Sequence, residues 1–150
     1  MKKRLTVVLC GVFVVVSVVV TLHVSKPAIA QIPYTDSAQV QAGIAVYSQY
    51  CASCHGASLE GEPNWQRRDA AGLLPAPPHD PSGHTWHHPD AMLFDFVKYG
   101  PKHFAGADYA TKMPGYSGVL SDAEIWAVLA YIKSTWPEEI IVRHNSLKAN

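Results

Sequence analysis

Cysteine is scarce. The chain of 150 residues holds three, and Cys10 lies inside an apolar N-terminal run, so only Cys51 and Cys54 remain for the rest of the protein. Two cysteines three positions apart cannot build a disulfide framework. Charge is scarce too: 16% of residues are Asp, Glu, Lys or Arg, with no long run of either sign. Four of the 12 basic residues (Lys2, Lys3, Arg4 and Lys26) fall in the first 30 positions, leaving 8 basic against 12 acidic residues and a net charge of −4. That balance argues against nucleic acid as a partner, because neutralising phosphates needs a basic surface. No strand of useful length, no repeat and no Ser-His-Asp pattern stands out.

What is present begins with a leader. Lys2-Lys3-Arg4 precedes an apolar stretch from Leu5 to Val20, and Ala28-Ile29-Ala30 follows at the spacing of a signal-peptidase site. Cleavage after Ala30 is the favoured reading. The competing one keeps residues 5–24, about a bilayer's width of helix, as an anchor giving membrane association. Either way residues 1–30 are a signal peptide or N-terminal membrane anchor. The domain is expected in the periplasm, soluble or tethered to the outer face of the cytoplasmic membrane. Cys10 follows Leu9, where a lipoprotein signal wants a small residue, so it reads as a leader thiol.

Beyond the leader the pattern is all-α. Asp36 caps a helix expected over Ser37–Tyr50, with Val40, Ile44, Tyr47 and Cys51 on one face and Gly43 beside it. Mid-helix glycine costs about 1 kcal/mol against alanine, so Gly43 implies close approach of another helix. Ala57–Pro89 carries six prolines and no apolar period, and is expected to be a long ordered loop. A helix is expected over Asp90–Tyr99, capped by Asp90 and stopped by Gly100-Pro101, then loop from Lys102 to Gly118. Ser121-Asp122-Ala123-Glu124 is a full capping box opening a last helix that Pro137 ends. The domain is thus 31–137, and 138–150 is expected to be a flexible C-terminal tail.

Chemistry concentrates in Cys51-Ala52-Ser53-Cys54-His55, the C-x-x-C-H signature of covalent haem attachment. On one helical turn both thiols face the same way and can add across the two vinyl groups at one porphyrin edge. His55 then offers a ring nitrogen to the iron. A thioredoxin-like C-x-x-C would want a βαβ pattern, and a zinc site a second Cys or His pair at knuckle spacing. One motif implies one haem c. For the sixth position, Met92 has an ordinary packing explanation at the start of a helix. Met113, in Lys112-Met113-Pro114-Gly115-Tyr116, is held in a proline- and glycine-stiffened loop, so His55 and Met113 are the expected ligand pair. His79, His84, His87, His88 and His103 are the bis-histidine alternatives.

These residues resemble a class I c-type cytochrome over Gly43 to Trp136: Gly43 and Tyr47, the attachment motif with Gly56, Met113-Pro114, and Leu129-Ala130-Tyr131-Ile132. The resemblance implies a cytochrome c fold, three or more helices around one haem with long connecting loops. It implies that the first and last helices cross, with Gly43 and Tyr47 against Val128, Tyr131 and Ile132. It also implies a proline whose carbonyl accepts a hydrogen bond from the axial imidazole, with Pro78 preferred over Pro77.

Four histidines in the stretch from His79 to His88 exceed what such a protein needs. The bland account gives this loop the haem edge, with the Trp86 indole N–H donating to a haem propionate. The sharper one is a second metal, copper or zinc, at His84, His87 and His88 with Asp80 or Asp90 nearby. The expected function is single-electron transfer with redox partner proteins: a dehydrogenase, an oxidase or another cytochrome. The alternatives are a peroxidase-like haem enzyme with a labile sixth ligand and a copper- or zinc-handling cytochrome.

Overall fold

A computed structural model describes residues 31–147. The leader, its cleavage site and Cys10 lie outside the described residues. Six helices form, with no strand among the described residues beyond an isolated Ser117–Leu120 bridge. They are α1 (Ser37–Tyr50), α2 (Ala52–His55), α3 (Asp90–Tyr99), α4 (Lys102–Ala105), α5 (Asp122–Ser134) and α6 (Glu138–Asn145), with a 3-10 turn at Thr85–His87. Among the described residues, no helix is long and apolar enough to cross a membrane.

The expected caps operate. The Asp36 carboxylate accepts from the Ala38 and Gln39 amides at 2.9 and 3.2 Å. At α5 the Ser121 hydroxyl accepts from the Glu124 amide while Glu124 accepts from the Ser121 amide at 2.8 Å. The α1–α5 crossing is the main contact between helices. Gly43 makes it possible: a Cβ there would overlap the Ala127 carbonyl and press on Tyr131 Cβ. The Tyr47 and Tyr131 rings meet edge to face, centroids 5.3 Å apart. Val46, Tyr47, Ile125, Val128, Leu129 and Ile132 bury here, the larger aliphatic side chains contributing about 1.5–3 kcal/mol each. The expected α1 face was off by part of a turn. Ile44 is 41% exposed and Val46 is buried, because the contact face centres on Gly43 rather than on the most apolar stripe.

Three expectations at the domain's edges need correction. Asp90 does not cap α3; its carboxylate accepts from the Ile32 amide (2.9 Å) and pairs with Lys133 Nζ (3.4 Å). Lys102 to Ala105 forms one helical turn instead of loop. The segment after Pro137 is not a free tail, since α6 is ordered there and buries Ile141 and His144. Pro137 ends α5 and opens α6, with Glu138 and Glu139 in its first turn and Arg143 and His144 in its last, matching the helix dipole. Tertiary contacts decide the docking. His144 Nε2–H donates to the His88 carbonyl at 2.9 Å, and the Arg143 guanidinium lies 4.9 Å from the Trp86 ring centroid. Lys133, 2% exposed, lies against the Asp90 carboxylate and the Tyr34 ring, and His144 of α6 reaches the same carboxylate.

Candidate functional site

The site begins where α1 turns into α2. Cys51 occupies the break, with its amide on Tyr47 O and its carbonyl taking the His55 and Cys54 amides. Both thiols are free, Cys51 partly buried and Cys54 exposed. Burial, and then the neighbouring Cys54, push the Cys51 thiol up to about 11, so it rests protonated at neutral pH. A dithiol redox pair wants a depressed thiol, and Cys51 is not one.

His55 is buried, and its Nδ1–H donates to Pro77 O at 2.8 Å. The resemblance favoured Pro78 for this bond; the acceptor is its neighbour. Consecutive carbonyls in extended chain point opposite ways, and Pro78 O turns instead toward the Thr85 hydroxyl at 3.4 Å. With Nδ1 committed, Nε2 is the nitrogen left for a metal. Burial lowers the His55 pKa, outweighing the opposing Pro77 bond and Glu62 charge. The ring is therefore neutral, as ligation requires. Its backbone is fixed as well: the Gly61 amide donates to His55 O at 2.8 Å, and the Tyr47 hydroxyl donates to Gly56 O at 2.8 Å.

The Pro77–Pro78 segment is gripped by two glycines. A side chain at Gly61 would strike both prolines, and one at Gly83 would strike Pro78 O. Beside it, the His79 ring stacks on His55, centroids 4.1 Å apart and planes 25° apart. These supports are absent from the motif itself. The signals that could have found them were the isolated glycines on either side of the proline pair and a histidine directly after it.

Met113 is partly buried, its amide on Thr111 Oγ1 at 3.1 Å. Its loop is moored to the end of α3: Gly115 packs on Tyr99 and Gly100, and the Tyr116 and Ser117 amides donate to Val97 O and Lys98 O. Tyr116 Oη reaches Tyr50 O at 2.8 Å, tying the Met113 loop to the helix that carries Cys51. The two long loops also meet through Lys112–Asp69 (3.9 Å) and Arg68 over Tyr109 (5.6 Å). Leu74, on the first of these loops, and Phe104, on α4, stand 37% and 42% exposed, apolar surface of the kind a porphyrin covers.

The remaining loop histidines gather only in part: the His84 and His88 rings meet edge to face, centroids 5.4 Å apart. Among the described residues no group of three or more His, Cys, Asp or Glu side chains could hold a metal ion. The second-metal expectation at His84, His87 and His88 is therefore not supported. His84 stacks on Trp65, His87 lies against Trp86, and Asp80 and Asp90 are engaged by Ser82 and by Ile32 with Lys133. Trp86 also departs from its expected role. Its indole N–H already donates to Pro81 O at 3.3 Å and its face carries Arg143, so it is not a ready propionate donor.

A family model described as cytochrome c oxidase, cbb3-type, subunit III matches residues 38–132, from the first turn of α1 to the third-last residue of α5. The chain belongs to that family. It is a class I c-type cytochrome with the all-α cytochrome c fold, and the family implies covalently bound haem c and electron transfer. Neither the curated proteins nor the solved structures compared with it gave a match. The cytochrome's residues fit the implied group: two unpaired thiols on one turn, a neutral imidazole with one nitrogen tied back, and bare apolar side chains on the first long loop and on α4.

Proposed function

We propose that this cytochrome is an exported single-electron carrier rather than an enzyme, with one haem joined to Cys51 and Cys54 and ligated by His55 and Met113. When bound, haem supplies an iron that alternates between ferrous and ferric and so passes one electron at a time. The chain's own part is to hold His55 in one tautomer, exclude water around its ring and keep Met113 in a moored loop. The Nδ1–H to Pro77 O bond carries this reading, because it commits one nitrogen and leaves the other for iron. The same bond raises the basicity of the imidazole as a ligand. Export rests on Lys2 to Ala30, and would place the protein in the periplasm or on the outer face of the cytoplasmic membrane. There it would exchange electrons with a dehydrogenase, an oxidase or another cytochrome, either as a shuttle or as a subunit.

Met113→Ala tests the ligand pair. Oxidised His/Met haem has a weak near-infrared charge-transfer band. The substitution is expected to abolish it and lower the reduction potential, since thioether ligation raises it. An unchanged band and potential would remove Met113 from the ligand set.

A further inference from the structure

His79 is the loop residue that the C-x-x-C-H motif does not explain. Four contacts fix it. Its amide donates to Leu59 O at 2.8 Å, and its carbonyl accepts from the Trp136 indole at 2.8 Å. Its Nδ1 sits 2.8 Å from Thr85 Oγ1, and its face lies on His55. The proton order follows from the acceptors. Pro78 O can only accept, so the single Thr85 hydroxyl proton points to it at 3.4 Å. Thr85 then accepts from His79, and His79 carries its proton on Nδ1. A chain of donors thus runs His79 to Thr85 to Pro78, one residue from the carbonyl that holds His55.

The hydrogen bond to Pro77 O restrains His55 at one point and resists rocking about the Cβ–Cγ bond only softly. A flat ring stacked on it, 4.1 Å away and tilted by 25°, limits that rocking further. An aliphatic side chain would fill the same space without defining a plane. Burying an imidazole where an aliphatic would pack costs desolvation unless its nitrogens are paired, and the chain pairs Nδ1 through the buried Thr85.

We propose that His79 is a positioning residue that sets the plane of the His55 imidazole, and with it the strength of the Nδ1–H to Pro77 O bond. The proposal rests on His55 being an axial ligand. A weaker bond makes the imidazole less basic and stabilises ferric iron less, so loss of the stack raises the potential.

The test uses the haem-loaded full chain with His79→Leu, His79→Phe and Thr85→Val. Ferric electron paramagnetic resonance reports the orientation of the axial ring, redox titration reports the potential, and urea unfolding runs in parallel. In His79→Leu the ferric g values shift or broaden. The ratio of ferric to ferrous affinity falls about tenfold, which is a rise of about 59 mV for one electron. His79→Phe, which keeps a flat ring, retains the wild-type g values. Thr85→Val, which leaves the stack but unlocks it, moves both readouts in the direction of His79→Leu by less. Changed unfolding with unchanged g values and potential in His79→Leu would overturn the proposal. If His79→Leu fails to fold, Thr85→Val decides by the same two readouts. A wild-type spectrum without axial imidazole would instead remove His55 as ligand, a separate failure.

Discussion

The α1–α5 crossing and the 57–89 loop both hold the attachment turn, by opposite means. The crossing is apolar and close: Gly43 lets Ala127 in, and Tyr47, Val128 and Ile132 fill the seam. The loop buries little aliphatic surface. It is held by directed polar bonds: His55 to Pro77, His79 to Leu59 and Thr85, Glu62 N to Ala76 O, and Trp136 to His79. Close packing fixes where the turn sits, whereas directed bonds fix which way an imidazole points. An electron carrier needs both, because its potential depends on ligand orientation and its integrity on the core.

Substitutions at the two regions should therefore fail differently. The largest effect is expected where they join, at Asp90. Removing its carboxylate leaves Lys133 buried without an anionic partner and the Ile32 amide without its acceptor, so Asp90→Ala should cost about 3–5 kcal/mol by urea unfolding. Lys133→Met together with Asp90→Ala should recover much of that, since the uncompensated charge is gone. Next is Gly43→Val, whose Cβ falls on backbone and forces the helices apart. A loss of about 3 kcal/mol is expected, with the spectrum of any folded fraction unchanged. Tyr47→Phe removes the hydroxyl bond to Gly56 O while keeping the ring in the seam. It should cost about 1 kcal/mol in the same assay.

Acid gives the mildest test. Burial first, then neighbouring charge, lowers the folded pKa of His84, His88 and His144. Below about 6.5 the unfolded chain binds protons that the folded chain refuses. Stability should therefore fall as pH drops from 7.5 to 5.5, and level off once the folded values are passed. Among the described residues His144 Nδ1 is buried with no hydrogen-bond partner, so a proton there meets no acceptor. His144→Gln should flatten the slope. If it does not, the acid response lies with the loop histidines rather than with α6.

Much of this was legible in the residues. Asp36 and the Ser121–Glu124 box announce α1 and α5, and the range read for α3, Asp90–Tyr99, matches the helix observed. Cys51, Cys54 and His55 stand out because their chemistry needs one helical turn and no long-range contact. What depended on distant partners was not legible. Glu138 to Asn145 looks like a solvated tail until Ile141 and His144 find their places. Pro77 and Pro78 differ only in which way a carbonyl faces. The histidine-rich stretch suggests metal by composition, yet its rings pack mainly on aromatic and hydroxyl neighbours, among them Trp65, Trp86 and Thr85, and only His84 and His88 meet each other. The apolar stripe misplaces the buried face of α1, because a glycine, carrying no hydrophobicity, decides where the helices touch.

The electron-carrier function turns on covalent haem at Cys51 and Cys54. Intact mass of the exported protein, with thiol titration after acid-acetone extraction, tests that most directly. The account predicts one haem retained on the chain and no titratable thiol at Cys51 or Cys54. A mass without haem, or haem released by the solvent with both thiols free, would contradict it.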